Sequence, residues 1–323
     1  MKRVLVTGIA GFIGSTLAEH LTAVFPAVEV IGIDRFTDYY PRSFKEANLT
    51  GLRTAGVQIV EGDLVTTDLD MLLDGVDVVF HQAGQPGVRP SWGTTFDAYT
   101  HDNIVASQRL LEAARRSSSL ARLVYASSSS IYGDADRYPT DEKDTPHPLS
   151  PYGVTKLAAE HLMGLYAANF GVPTVSLRYF TVYGPKQRPD MAFTRFIARA
   201  LTGRAIELYG TGAQVRDFTF VEDVVRANVA AAWAEVPNGA VYNISGGSSA
   251  SVNDVIATLE GIVGHPVTVE RLEKSAGDVF RTGGSSASAR QALGWEPRVS
   301  LDVGLRRQTE WLEKRAAAYV DFV

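Results

Sequence analysis

Short apolar runs recur along the chain at 4–7, 28–33, 57–60, 76–81, 123–127 and 174–179, separated by segments with helical apolar spacing such as 104–116 and 157–170. Runs this short and apolar fit strands buried on both faces, and their alternation with helices predicts an α/β fold with a doubly wound parallel sheet. In such a sheet ligands lie beyond the carboxyl ends of the strands. Polar or small residues collect there: Asp34, Asp63, the 81–84 stretch, Ser127 to Ser130, and Thr181.

The first run stops in Thr7-Gly8-Ile9-Ala10-Gly11-Phe12-Ile13-Gly14, where glycines three apart lead into an apolar helix. A strand, a tight turn and a helix start of this kind let backbone N–H groups at the positive helix end approach a pyrophosphate. The GxxGxxG spacing departs from GxGxxG and on its own also fits a glycine-rich strand-to-helix connection. Asp34 decides between the two readings. It ends the second apolar run about twenty residues past Gly14, where a carboxylate meets the adenosine ribose hydroxyls. The expectation is a Rossmann-type NAD site, with NAD favoured over NADP because a carboxylate repels a 2′-phosphate; adjacent Arg35 is the one feature pulling the other way.

After Tyr179 the elements shorten, Gly and Pro become frequent, and Lys186, Arg188, Arg195, Arg204 and Arg216 crowd together. Residues 1–180 are therefore read as the NAD-binding domain, with 218–245 returning to it through a helix at 221–234 and a strand at 240–245. Residues 181–217 and 246–323 are read as a smaller C-terminal α/β substrate lobe, with further helix and strand pieces in 252–271 and 301–319.

At 323 residues and 45% hydrophobic content the chain can bury the core of two such lobes. A net charge of −5 with interleaved signs gives no basic face for nucleic acid or an anionic membrane. The absence of cysteine removes disulfides, thiolate nucleophiles and thiolate metal sites. No apolar stretch reaches the roughly 18 residues of a membrane span. The Met1-Lys2-Arg3 opening imitates a signal peptide, but the glycines that follow fit a cofactor turn better, and a cytoplasmic location is expected. The histidines lack ligand spacing, so no metal is assigned. Glu222 and Asp223 begin a helix and read as partners of its dipole.

Tyr152 and Lys156 stand four apart at a helix start announced by Ser150-Pro151, so their side chains share a face. A tyrosine is a base only as phenolate, which a neighbouring ammonium favours; a packed aromatic beside a solvated lysine is the ordinary alternative. Upstream, the run 123–127 ends in SSSSIYG, placing hydroxyls at a strand end level with the cofactor turn. Either feature alone is common. Their joint occurrence in this order is not.

With TGIAGFIG, His81-Gln82-Ala83-Gly84, SSSSIYG, YGVTK, LRYFTVYGP and RDFTFVEDV, the chain resembles the extended short-chain dehydrogenase/reductase family, in its nucleotide-sugar epimerase and dehydratase branch, over nearly its whole length. The resemblance implies that Gly8, Gly11 and Gly14, with Phe12 and Ile13 in the same turn, hold the pyrophosphate. It implies Asp34, with Arg35 beside it, at the adenosine ribose, Asp63 and Leu64 at the adenine, Ala83 and Gly84 at the nicotinamide half, and Lys156 at the nicotinamide ribose. Tyr152 is implied as the base and Ser128 as its partner; Gln82 and Tyr179 are counted with the cofactor site. Gln82 departs from the HLAA of relatives.

The branch opens with oxidation at C4 of the sugar. Relatives that then eliminate water carry an Asp-Glu pair after the catalytic hydroxyl, and decarboxylating ones a glutamate; here Ser129 and Ser130 stand in those places. The outcome needing no further acid is 4-epimerisation of a UDP-sugar. The stretch 82–91 resembles that of UDP-glucuronate 4-epimerases, and Thr181, Arg188 and Arg89 are positioned to grip a C6 carboxylate, with Ser129 nearby; the alternative role for Arg188 is at the diphosphate. Arg216 and Asp278 fall where relatives bind diphosphate and ribose or uracil. The RRPGD of relatives reads 274–278 KSAGD here, leaving Lys274 or Arg281 to substitute for a phosphate arginine. UDP-glucose or UDP-N-acetylglucosamine epimerisation, dehydration, and a non-catalytic NAD-binding protein are the competing readings. The resemblance also implies a homodimer through the helices near 96–116 and 157–170.

Overall fold

The computed structural model describes residues 2–273 and 279–319. Among the described residues, twelve strands run β1 (Arg3–Thr7), β2 (Glu29–Asp34), β3 (Gln58–Glu61), β4 (Val78–His81), β5 (Arg122–Ser128), β6 (Thr174–Tyr179), β7 (Val182–Tyr183), β8 (Ile206–Tyr209), β9 (Val215–Phe220), β10 (Ala240–Ile244), β11 (Ser248–Ser251) and β12 (Val269–Leu272). Seven of them form one sheet in the order β10-β6-β5-β4-β1-β2-β3, every neighbour parallel. The order reverses between β1 and β4, which opens the ligand crevice of a doubly wound sheet.

Alternate residues of each strand face opposite sides, so the apolar runs build two cores at once. Val4, Val6, Val78, Phe80 and Val124 pack with the helices Phe12–Val24 and Val221–Trp233. Leu5, Val79, Leu123 and Tyr125 pack with Ala106–Arg116 and Pro151–Phe170 on the other side.

Three helix signals act locally. Ser150 caps Pro151–Phe170 by accepting from the Gly153 N–H at 3.1 Å, Pro151 sits in its first turn, and Gly171 ends it at φ 69°. Ahead of Ala106–Arg116 the chain makes a π-helical turn, Thr100–Val105, where the sequence pattern suggested only the start of a helix at 104.

Within the segment expected to return to the main sheet, 218–220 belong to β9, while the helix Val221–Trp233 leads to β10, which pairs with β6. β9 sits between β11 and β7 in a small sheet, and β12 pairs with β8 in another. A separate core of Phe193, Ile197, Leu208, Phe218, Leu259 and Leu305 lies between these pieces and the helices Ala192–Leu201, Val252–Val263 and Leu301–Glu313.

Candidate active site

One cleft of about 240 Å³ lies along the carboxyl ends of the parallel strands. Gly8, Gly11, Phe12, Ile13, Gly14, Asp34, Arg35, Asp63, Leu64, Gln82, Ala83, Gly84, Tyr152, Lys156, Tyr179 and Arg188 all line it. Every position assigned to the cofactor from sequence is thus on one wall or another of the same cleft.

The glycine turn is built by close approach. Gly8 has φ 68°, a left-handed conformation, and a Cβ there would lie 2.8 Å from the Ala83 backbone. A Cβ on Gly14 would overlap the carbonyl oxygen of Gly8, so Gly14 serves helix-to-strand packing, and Gly11 leaves open the N-terminus of Phe12–Val24. The cradle that side chains would fill is what a pyrophosphate needs. Asp34 is fixed at the end of β2: its Oδ2 accepts from Ala10 N–H at 3.1 Å and its Oδ1 from Phe36 N–H at 2.8 Å, with Lys45 Nζ 4.0 Å away. Burial pushes the Asp34 carboxyl up against those stabilising partners. Arg35, which left the choice of cofactor open in the sequence, is held by Asp63 at 3.1 Å and Asp102 at 2.9 Å, so its charge is already met by two carboxylates. These residues fit NAD.

The strand end carrying Gln82 to Gly84 is pinned by a buried chain of hydrogen bonds. Ala83 N–H donates to Thr7 Oγ1, which bonds His81 Nδ1 at 2.8 Å; His81 Nε2 meets Ser107 Oγ at 3.0 Å, and Ser107 donates to the Asn103 carbonyl. Burial depresses His81 to about 3, so it stays neutral. Gln82, where relatives have leucine, closes a ring: its Nε2 donates to Asn228 Oδ1 at 3.0 Å, and Tyr179 OH donates to Gln82 Oε1 at 3.2 Å and accepts from Asn228 Nδ2 at 2.8 Å.

Ser128 ends β5, where its hydroxyl favours the ionised form of the Tyr152 phenol. Its Oγ also accepts from Ser130 N–H at 3.1 Å. Tyr152 packs edge-on against Tyr99, ring centroids 6.2 Å apart. Burial raises the Tyr152 phenol, opposed by the Ser128 hydrogen bond and by the Arg188 charge. The sequence pointed to Lys156 as the cation acting on Tyr152; in the folded protein the Arg188 charge also acts on that phenol. Lys156, only 6% exposed with Nζ 4.5 Å over the Tyr125 ring, is itself depressed to about 7 by burial.

Arg188 reaches the cleft, but its fork is filled by Asp190, Nε to Oδ1 at 2.9 Å and Nη2 to Oδ2 at 2.8 Å. Arg89 stacks on Tyr209 of β8, 4.2 Å from the ring centroid. Thr181 is half-buried between β6 and β7, its carbonyl accepting from Thr219 N–H at 3.0 Å. Ser129 lines a smaller cavity with Tyr132, Phe180 and Arg281. Arg216 donates to the carbonyls of Val279, at 2.7 Å, and Phe280, at 3.2 Å. Asp278 and Lys274 lie outside the described residues.

Sequence reading missed Thr37, Tyr39, Tyr40, Lys45, Gln85 and Asn103, which also line the cleft. Asn103 ties Gln85 to the catalytic helix: its Oδ1 accepts from Gln85 N–H at 2.7 Å and its Nδ2 donates to Thr155 Oγ1 at 2.9 Å. Its position beside a break in helical spacing was the available signal. Lys45 reads as a solvated helix lysine and is in fact 5% exposed.

Residues 4–245 match the model of the NAD dependent epimerase/dehydratase family. The chain is 44% identical over 311 residues to YtcB of Bacillus subtilis (strain 168), an uncharacterised UDP-glucose epimerase, covering 96% of this chain and 98% of that protein. It is 35% identical over 317 residues to the UDP-glucuronate 4-epimerase of Thermodesulfobacterium geofontis (strain OPF15), covering 95% of each. Its fold superposes with a TM-score of 0.93 on the UDP-glucuronic acid 4-epimerase from Bacillus cereus in complex with UDP-glucuronic acid and NAD, at 42% identity, covering 97% of this chain and 99% of that one. With this sheet order, this glycine cradle and the Ser128, Tyr152 and Lys156 set, the chain belongs to the NAD dependent epimerase/dehydratase family.

Proposed function

We propose that the protein is an isomerase that converts UDP-glucuronate to UDP-galacturonate by reversible oxidation at C4. The observation that carries the reading is that Tyr152, Lys156 and Arg188 line the same cleft as the cofactor positions, with Ser128 at the adjoining strand end. The solved complex of the Bacillus cereus relative with UDP-glucuronic acid and NAD supports it.

NAD, held by the glycine turn, Asp34, Asp63, Leu64, Gln82 to Gly84, Tyr179 and Lys156, supplies reversible hydride exchange at C4. Tyr152 takes the proton of the C4 hydroxyl and returns it to the same oxygen once the configuration at C4 has inverted; general acid–base work of this kind is worth about 10²–10⁴ in rate. Ser128 hydrogen-bonds the same oxygen, and Lys156 holds positive charge beside the phenolate when the cofactor is bound. Arg188 binds the C6 carboxylate through charge-assisted hydrogen bonds. That hold matters chemically, because a 4-keto uronic acid is a β-keto acid and loses CO₂ unless its carboxylate is kept out of the alignment that promotes cleavage. Ser129 and Ser130 offer no carboxyl acid for dehydration. The C-terminal lobe, with Arg89, Thr181, Arg216 and Asp278, takes the remainder of the nucleotide sugar.

A UDP-glucose 4-epimerase is the second reading, favoured by the similarity to YtcB and by the filled fork of Arg188. Incubating the NAD-loaded protein with each sugar nucleotide and separating the products decides between them: UDP-galacturonate is expected, and turnover of UDP-glucose alone rejects the uronate reading. Retained epimerisation in Tyr152→Phe rejects the catalytic assignment.

We further propose a homodimer, supported by apolar residues left exposed on the paired helices, Val105, Val154, Leu165 and Phe170 among them. Light scattering at the monomer mass of 35.0 kDa rejects it. A cytoplasmic location goes with this reading, since NAD and nucleotide sugars carry charges that bilayers exclude.

A further inference from the structure

Arg188 and Asp190 sit two residues apart on one turn closed by the Met191 N–H to Arg188 carbonyl bond at 3.2 Å. The arginine side chain is 17% exposed and reaches the cleft, where its charge acts on Tyr152; the aspartate side chain is 33% exposed. Two parallel hydrogen bonds join them, the same forked geometry a sugar carboxylate would use. Tyr39 OH donates to Asp190 Oδ2 at 3.4 Å, and the Arg188 guanidinium lies 5.7 Å from the Tyr39 ring centroid.

A partly desolvated guanidinium left without a counter-charge is costly. Something must therefore pair with Arg188 whenever no uronate is present. We propose that Asp190 is this resting partner, and that the C6 carboxylate of the substrate displaces it from the Arg188 fork. The proposal rests on the uronate reading of the site and assigns Asp190 a role in substrate selection.

Exchange of one carboxylate for another keeps the charge of the site constant. Asp190 is the more exposed member of the pair, so water can solvate it once it swings away, whereas Arg188 has no comparable exit. Release also needs only side-chain rotation in Asp190, because the turn places its backbone beside that of Arg188 in either arrangement. A neutral hexose offers no charge in exchange and leaves the pair closed. Asp190 thus sets the threshold that a C6 carboxylate must pass to reach Arg188, whereas a hydroxymethyl group binds with the pair closed.

The test compares NAD-loaded wild-type protein with Asp190→Asn and Asp190→Ala. Removing the internal competitor should lower KM for UDP-glucuronate by about two- to fivefold, the worth of a partly exposed ion pair. The calorimetric Kd for UDP-glucose should stay within error of the wild-type value. A raised KM for UDP-glucuronate, as expected if Asp190 only holds Arg188 in place, overturns the proposal, and so does an unchanged KM in both variants. Arg188→Met separates this from the underlying reading: if that variant impairs UDP-glucuronate turnover no more than it weakens UDP-glucose binding, or if the wild-type protein does not turn over UDP-glucuronate, the uronate reading itself falls.

Discussion

Glu160, one helical turn beyond Lys156, grips Arg178 of β6 through two parallel bonds, Nη2 to Oε1 at 2.6 Å and Nε to Oε2 at 3.0 Å, and accepts a third from Ser127 Oγ at 2.6 Å. The pair is buried under the strand end that carries Ser128. Arg178 extends the tie to the Tyr132 hydroxyl at 2.5 Å, and Tyr132 to Asn243 of β10 at 2.8 Å. The catalytic helix and three adjacent strands are thereby joined by side chains as well as by the sheet ladder.

Removing one partner of a buried ion pair leaves the other uncompensated, so Glu160→Gln should cost about 3–5 kcal/mol of stability. Denaturant unfolding measures it. Replacing both residues by leucine should recover part of that loss, and a double variant no more stable than Glu160→Gln would contradict the argument.

Tyr152 must lose its proton to act, so activity should rise with pH through its pKa. Ser128 and Arg188 both lower that pKa against burial. Ser128→Ala and Arg188→Met should each move the rising limb of kcat/KM to higher pH. A limb that stays in place in both variants would mean that another group titrates.

Burial holds Lys156 at about 7, well below the ordinary lysine value. Between these two values the unfolded chain binds the extra proton, so protein stripped of NAD should gain stability as pH rises from about 7. Below that window both states are protonated and the penalty is constant. Lys156→Met should remove the slope, which thermal unfolding across pH 7 to 10 would register.

Gly14→Ala forces a methyl group into the Gly8 carbonyl. Overpacking of this kind costs about 1–3 kcal/mol, and displacement of the turn should lower the NAD content of purified protein. Normal NAD content with normal stability would show that the turn yields freely.

Asp34→Asn removes the negative charge at the end of β2 and keeps an acceptor for only one of the Ala10 and Phe36 N–H groups. Discrimination against NADP should fall by an order of magnitude or so, the worth of about 1.4 kcal/mol. Titration with both dinucleotides reads it, and an unchanged preference would assign selectivity to Lys45 and the Arg35 carboxylates instead.

Much of the site was legible because it follows the chain closely. Gly8, Asp34, Ser128 and Tyr152 each stand at a strand end or helix start that local apolar pattern marks, and a parallel sheet brings such ends to one edge. Arg89 and Thr181 were grouped with Arg188 as a grip on a C6 carboxylate, and Arg216 with Asp278 at the nucleotide, on the resemblance of their stretches rather than on local pattern. Their contacts come from elements distant in the chain: Arg89 is on Tyr209, and Arg216 is on the 279–280 carbonyls. Asn103 and Lys45 went unseen for the converse reason. Nothing in their neighbours shows that a π-helical turn and the fold of residues 36–41 bury them against the cleft.

By itself the sequence determined the parallel sheet, the cofactor edge and the Ser128, Tyr152 and Lys156 set, because apolar period, glycine spacing and helix signals act over a few residues. Only the tertiary structure decided which charge faces which. Lys156 is depressed by burial, the Arg188 charge acts on Tyr152 from a distant part of the chain, and Asp190 fills the Arg188 fork. Electrostatic roles depend on desolvation and on distances across elements far apart in the chain, and neither is written in local pattern.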